Sequence, residues 1–275
     1  MTRLTVGRPG GQAYAPPRRL TLGADAWQLV VGELGGVGLP APLRAQDGPD
    51  LTAAQQQIAR DALVKAGVIT GPGVLAGLQP SVRAGLALHL APLVVVDTVV
   101  RRGSERHTAR HVSDALLASG LSRRTTQVLG GRETGPVEVA LLLLDDLASD
   151  VVRALGDLPL APGRKTARLD AAASMGVVRA VQEGRADAAA ALAAVGGAPG
   201  VPEALVSVAS GITAVARVEL RGAGRRFGLL LLETAAGWWS VHTSGEDVVL
   251  QPVDAAAVVT QVAGALTAVL TAVSV

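Results

Sequence analysis

The chain contains no cysteine, which excludes disulfides, zinc held by thiolates and a cysteine nucleophile. Aromatic residues are almost as scarce, with three Trp, one Tyr and one Phe in 275 residues. The core must therefore be built from Ala, Val and Leu, and a row of aromatic platforms for stacking bases is ruled out. An excess of one charge is also lacking: 25 Lys+Arg stand against 23 Asp+Glu, a net charge of +2, so an overall nucleic-acid footprint is weak. Residues 1–19 hold no continuous apolar stretch of the signal-peptide kind and read as a flexible Pro/Gly-rich tail, so the expected location is the cytosol.

What is present is a 49% hydrophobic chain, long enough for one large core or two packed halves. Apolar spacing predicts a first helix over ADAWQLVVGEL, with Asp25 as N-cap and Trp27, Val30, Val31 and Leu34 on its buried face. A second helix is predicted from Leu51 to Ala66, capped by Asp50 or Thr52, with Leu51, Ala54, Ile58 and Ala62 facing inward. A third is predicted over Val74 to His89.

After Pro92 the texture turns β-branched. LVVVDTVVRR reads as a strand, and Arg101 to Glu105 as a hairpin turn around Gly103. Up to three more strands follow within residues 106–143, before Asp145 or Asp146 opens the helix LASDVVRAL. From about Leu158 the order repeats. Ala-rich helices are predicted within residues 166–210, then the strands GITAVARVEL, RRFGLLLLE, WWSVHTS and EDVVLQP, then a helix opened by Asp254. Each half offers too few strands to stand alone, so a single joined sheet is expected, with an edge or wide face left to be blocked or used.

Short motifs suggest chemistry weakly. Gly71 to Gly77 reads GxGxxxG, a pattern that cradles pyrophosphate on backbone amides when a strand feeds it. Here no strand precedes it and Pro72 removes a donor, so a turn between helices suffices. Ser174 sits in AASMG, which mimics a nucleophile elbow but lies in an Ala-rich helical context. A small-molecule-binding protein or hydrolase using the Gly71 to Gly77 loop or Ser174 is the alternative reading. His107 and His111 have the i, i+4 spacing of zinc ligands, but on a strand they stand about 13 Å apart and are expected on a solvated face.

Arg101, Arg102, Arg106, Arg110, Arg123, Arg124 and Arg132 form the densest basic stretch. A solvated turn, a protein-docking patch and a phosphate site all fit; the missing aromatics and the acids Glu105, Asp114 and Glu133 disfavour nucleic acid. The segment Ala255 to Val275 is long and apolar enough for a membrane anchor, yet Val258, Val262, Ala265 and Val269 form a core-facing stripe. Trp238 and Trp239 leave opposite faces of one strand. No catalytic centre, cofactor or metal is expected.

Three stretches taken in order, LTLGADAWQLVVGELGGVGLPAPLRA, LHLAPLVVVDTVVRR and GWWSVHTSGEDVVLQPVDAAAVVTQVAGAL, resemble the EspG-type chaperones of type VII (ESX) secretion in actinobacteria. The resemblance implies an α+β fold: one domain over 1–275, with a central, largely antiparallel sheet flanked by two helical bundles. It also implies an internal pseudo-two-fold, for which the sequence suggests halves 20–157 and 158–275. A cytosolic chaperone is implied that binds the helical tip of a PPE protein in its PE-PPE pair one to one, masks its apolar surface and keeps it soluble for export. Partner contacts are implied at Arg101, Arg102, Ser104, Glu105, Arg106 and His107, with Arg123, Arg124, Val201 and Leu205 further along.

Overall fold

The computed structural model describes residues 18–33, 39, 43–44, 51–70, 77–114, 116–159, 166–170, 212–235, 237–244 and 247–273. Among these, ten strands form one sheet: β1 (Arg18–Leu22), β2 (Val94–Arg102), β3 (Glu105–Ser113), β4 (Leu117–Val128), β5 (Gly131–Leu143), β6 (Ala167–Asp170), β7 (Ile212–Gly222), β8 (Arg225–Thr234), β9 (Gly237–Ser244) and β10 (Asp247–Val253). Five helices accompany them: α1 (Ala24–Glu33), α2 (Ala53–Lys65), α3 (Pro80–Ala87), α4 (Leu147–Leu155) and α5 (Ala255–Val273). The strand order is β1-β5-β4-β3-β2-β7-β8-β9-β10-β6, every neighbouring pair antiparallel. The β2-β7 ladder joins strands of residues 18–143 to those of 167–253.

Strand turns follow local chemistry. Arg102 pairs with Glu105, leaving Gly103 and Ser104 as a two-residue loop with Gly103 at φ +56°. Between β7 and β8 the loop residues Ala223 and Gly224 both take positive φ, +49° and +72°.

Side chains alternate across the sheet and divide it into two cores. On one face Val94, Val96, Val100, Ala140, Leu142, Ala216, Val218, Leu229, Leu231 and Trp238 pack beneath α4 and α5. On the other, Leu20, Leu22, Leu121, Val137 and Val139 pack against Trp27 and Val30 of α1, Leu63 of α2, and Val82 and Leu86 of α3. In α5 the buried stripe is Val258, Val262, Leu266 and Val269, so this helix, though long and apolar enough to cross a membrane, lays that stripe on the core. Ala265 is only partly buried; the stripe continues through Leu266 instead.

Several expectations are corrected. Residues Arg18 and Arg19, read as the end of a tail, begin edge strand β1, which pairs with β5; residues 1–17 lie outside the described residues. Asp25 is in the first turn of α1 rather than at its cap, because Gly23 already accepts the Trp27 amide at 2.9 Å. Thr52 caps α2 in a reciprocal capping box with Gln55, but α2 is turned away from its predicted face. Its buried residues are Ala59 and Leu63, while Ile58 is 68% exposed. Of the third expected helix, Val74 to His89, residues 74–76 lie outside the described residues, and α3 runs only from Pro80 to Ala87, after a bridge between Ile69 and Leu78. Asp146 precedes α4 without making a side-chain cap bond, whereas Asp254 caps α5, its Oδ1 accepting the Ala257 amide at 2.8 Å. Residues 167–170, expected in a helix, form edge strand β6 against β10. The other helices expected within 166–210 lie outside the described residues.

Candidate functional site

The β2-β3 hairpin brings most of the candidate residues to one end of the sheet. Arg101, Arg102, Ser104 and Glu105 are exposed there, and Arg106 and His107 are half-buried. Register decides which face each one serves. Arg102, Glu105, His107 and Arg124 share the face covered by α4, since Arg102 opposes Glu105 and His107 opposes both Val100 and Arg124. Arg101 and Arg106 oppose one another on the other face, with Arg123 two positions before Arg106's partner Thr125.

On the α4 face these residues border a cleft of about 280 Å³, together with Thr21, Ser122, Glu138, Arg153 and the end of α4. His107 donates from Nδ1 to the Ala154 carbonyl at 2.8 Å, satisfying a free carbonyl of the last turn of α4. Burial pushes the His107 imidazole pKa down, more than that bond pulls it up. Arg102 reaches across β7, donating from Nε and Nη2 to Glu233 Oε2 at 3.0 and 2.8 Å. Arg124 is exposed at the cleft rim.

Arg123 departs from the expected solvated patch. It is 3% exposed, with Nη1 donating to the Arg44 carbonyl at 3.3 Å, so its charge is spent inside the α1-α2 side of the molecule. Burial lowers its pKa. The sequence contained no signal for this, since alternation on β4 assigns Arg123 a face but not the loop that covers it. Val201, Leu205 and Ser174 lie outside the described residues, as do residues 71–76 of the glycine loop. The ends of that loop are tied together by the Thr70 amide donating to Gly77 O at 2.7 Å.

The histidines do not share a site. His111, expected on a solvated face, is 2% exposed and donates from Nε2 to Asp150 Oδ2 at 3.0 Å. Asp150 also accepts from Arg153 Nε at 2.9 Å and from Arg19, and both arginines donate to Glu138. Burial alone would raise the Asp150 pKa, but these bonds and the nearby charge of His111 hold it well below the usual carboxylate range. On the opposite face His89 Nε2 lies 3.3 Å from Ser119 Oγ, both buried. Burial first, then the charges of Arg110 and His111, push the His89 pKa down to about 3. The Ser-His pair and the His-Asp pair are thus separated by the sheet, with neither opening on the cleft. Among the described residues no group of three or more His, Asp or Glu is placed to hold a metal.

Trp238 and Trp239 are both fully buried. The Trp238 indole donates to Asp157 O at 3.0 Å, which ties β9 to the segment after α4.

The central strands differ between their faces. Thr98, Val100, Ala216 and Val218 are buried under α4 and α5. The other face carries half-exposed Val95, Asp97, Val99, Arg217 and Glu219, held by ion pairs of Asp97 with Arg110 and Arg221 and of Arg217 with Glu219. This half-exposed face runs up to the charged β2-β3 hairpin.

An α+β fold with one large antiparallel sheet and helices on both faces is also that of a solved secretion chaperone. EspG5 of Mycobacterium tuberculosis, determined as a type VII secretion system chaperone in complex with a PE25-PPE41 dimer, superposes with a TM-score of 0.57 at 10% identity. The match covers 88% of this chain and 94% of EspG5, and it shows a shared fold. HtdX of the same organism aligns with 11% identity over 85% of this chain and 98% of its own, but its TM-score of 0.17 carries no argument. No protein-family model and no curated protein matches the sequence.

Proposed function

We propose that this protein is an EspG-like chaperone of type VII secretion, which binds a helical PE-PPE-type substrate, masks its apolar tip in the cytoplasm and keeps it soluble for export. The observation that carries this reading is the correspondence of fold with EspG5 over nearly the full length of both chains. Two further features support it. The strand order reads alike outward from the central β2-β7 pair, each side finishing with the strand earliest in its half, as expected of pseudo-two-fold halves 20–157 and 158–275 in a single domain. The charged β2-β3 hairpin stands exposed beside a half-open sheet face.

On this reading the work is binding, with no chemical step, cofactor or nucleic acid, and the stoichiometry is one to one. The exposed residues Arg101, Ser104, Glu105 and Arg124 carry the partner contact, with Val201 and Leu205 added by the resemblance to the EspG-type chaperones. Co-expression tests it. A PE-PPE pair encoded beside this protein, insoluble alone, becomes soluble and co-purifies with it at equal stoichiometry. Failure with every PE-PPE or WXG-type pair of the same genome would overturn the proposal.

A further inference from the structure

Arg101 and Arg106 occupy one directly opposed position of the β2-β3 ladder. Cβ atoms at such a position lie about 5 Å apart, and like charges there destabilise the sheet. A third arginine adds to the conflict. Arg106 opposes Thr125, Gln127 two positions on opposes Arg132, and alternation therefore puts Arg101, Arg106 and Arg132 on the same face. The crowding is felt at Arg106: burial and then the charges of Arg101 and Arg132 push its pKa below the ordinary arginine value.

The acids that dilute this charge in the sequence do not do so in space. Glu105 opposes Arg102 and Glu133 opposes Thr126, so both point to the α4 face. On the arginine face the nearest strand carboxylate of β2 is Asp97, four residues along and about 13 Å away, already bound by Arg110 and Arg221. Among the described residues, two buried polar atoms at this spot have no partner, Arg106 Nε and, two residues along on the same face, Thr108 Oγ1. Arg101 and Arg132 themselves are exposed.

We propose that Arg101, Arg106 and Arg132 form a carboxylate-binding site, occupied by an acidic segment of the protein that this chain binds. Charge complementarity selects the occupant. Three guanidinium groups provide forked donors matched to carboxylates. Nucleic acid is disfavoured because, among the described residues, no aromatic side chain lies on these strand ends to stack a base. The site deepens the proposed chaperone function by naming the chemistry of the partner's contact, and only the partner's identity rests on that function.

The test uses the full chain and two fluorescent peptides, one alternating Glu and Gly and the other Gln and Gly, with a single-stranded oligonucleotide as competitor. The Glu peptide binds and the Gln peptide does not, and added salt weakens binding, because exposed charges are screened beyond about 10 Å at 0.1 M. Arg101→Glu or Arg132→Glu lowers affinity about tenfold, the loss of one charge-assisted contact, and Arg101→Gln lowers it less. Arg225→Glu, exposed on the β7-β8 hairpin at the other end of the sheet, leaves it unchanged. Unchanged binding in both reversals, or an oligonucleotide bound more tightly than the Glu peptide, would overturn the site. Co-purification of a PE-PPE pair that survives both reversals refutes this site while sparing the chaperone reading. Peptide binding with no PE-PPE pair retained does the reverse.

Discussion

The Nε2-H of His111 on β3 points 3.0 Å from Oδ2 of Asp150 on α4, and both side chains are sealed from solvent. Because Asp150 is held ionised and can only accept, the proton of this bond resides on His111. Arg19 and Arg153 complete the network and tie α4 to β1, β3 and β5. Gly120 makes room for it, since a Cβ there would lie 2.8 Å from the His111 ring. Removing one member of a buried pair strands the others, so Asp150→Ala is expected to cost about 3–5 kcal/mol by chemical denaturation at pH 7. With its pKa depressed in the folded state, Asp150 stabilises the fold above the ordinary carboxylate pKa and loses that contribution as pH falls below it. The deficit of the variant therefore narrows below about pH 4.

His89 titrates in a different window. Its folded pKa of about 3 lies below the unfolded 6.5, so the neutral form is favoured by folding and stability declines as pH falls from 6.5 toward 3. The slope approaches about 1.4 kcal/mol per pH unit for one such group. His107, shifted the same way, adds to it. Denaturation midpoints across this range should show a shallower slope in His89→Gln than in the unmodified protein, and an identical slope would contradict the assignment.

Two adjacent residues of the β7-β8 hairpin should respond oppositely to small changes. A Cβ on Gly222 would come within 2.6 Å of Leu93 O and 2.7 Å of a Val269 methyl, so Gly222→Ala costs about 1–3 kcal/mol. Ala223 already sits at φ +49°, a region that costs a residue with a Cβ about 1–2 kcal/mol. Ala223→Gly therefore raises the melting temperature while Gly222→Ala lowers it.

The opposed Arg101 and Arg106 make a prediction for the free protein. Arg101→Gln relieves the repulsion and stabilises by a few tenths of a kcal/mol, and moderate salt stabilises the unmodified protein more than this variant. Thermal melts at two salt concentrations decide it.

Much of the sheet was legible in the residues because its strands are long and β-branched: β2, β5 and β7 to β10 overlap LVVVDTVVRR and its counterparts, whereas RHTARHVSDALLAS, read as one strand, holds the turn between β3 and β4. A joined sheet also followed, from the small number of strands in each half. The helices were harder. In a chain this rich in Ala the apolar stripe of α2 fits two faces, and tertiary packing chose Ala59 and Leu63 over Ala54 and Ile58. The edge strands β1 and β6 are short and polar, RRLTL and ARLD, and owe their form to a neighbour far along the chain rather than to local preference. The fates of His111 and Arg123 were illegible for a related reason. Strand alternation assigns a face, but only the packing of α4 and the Arg44 segment turns that face from solvated to buried.

Hydrogen-deuterium exchange of the protein with and without a co-expressed PE-PPE dimer tests the central claim most directly. The account predicts slowed exchange in the β2-β3 hairpin, from Arg101 to His107, with the amides of the α4 core unchanged. A stable complex whose protection leaves that hairpin untouched, or no protection anywhere, would contradict it.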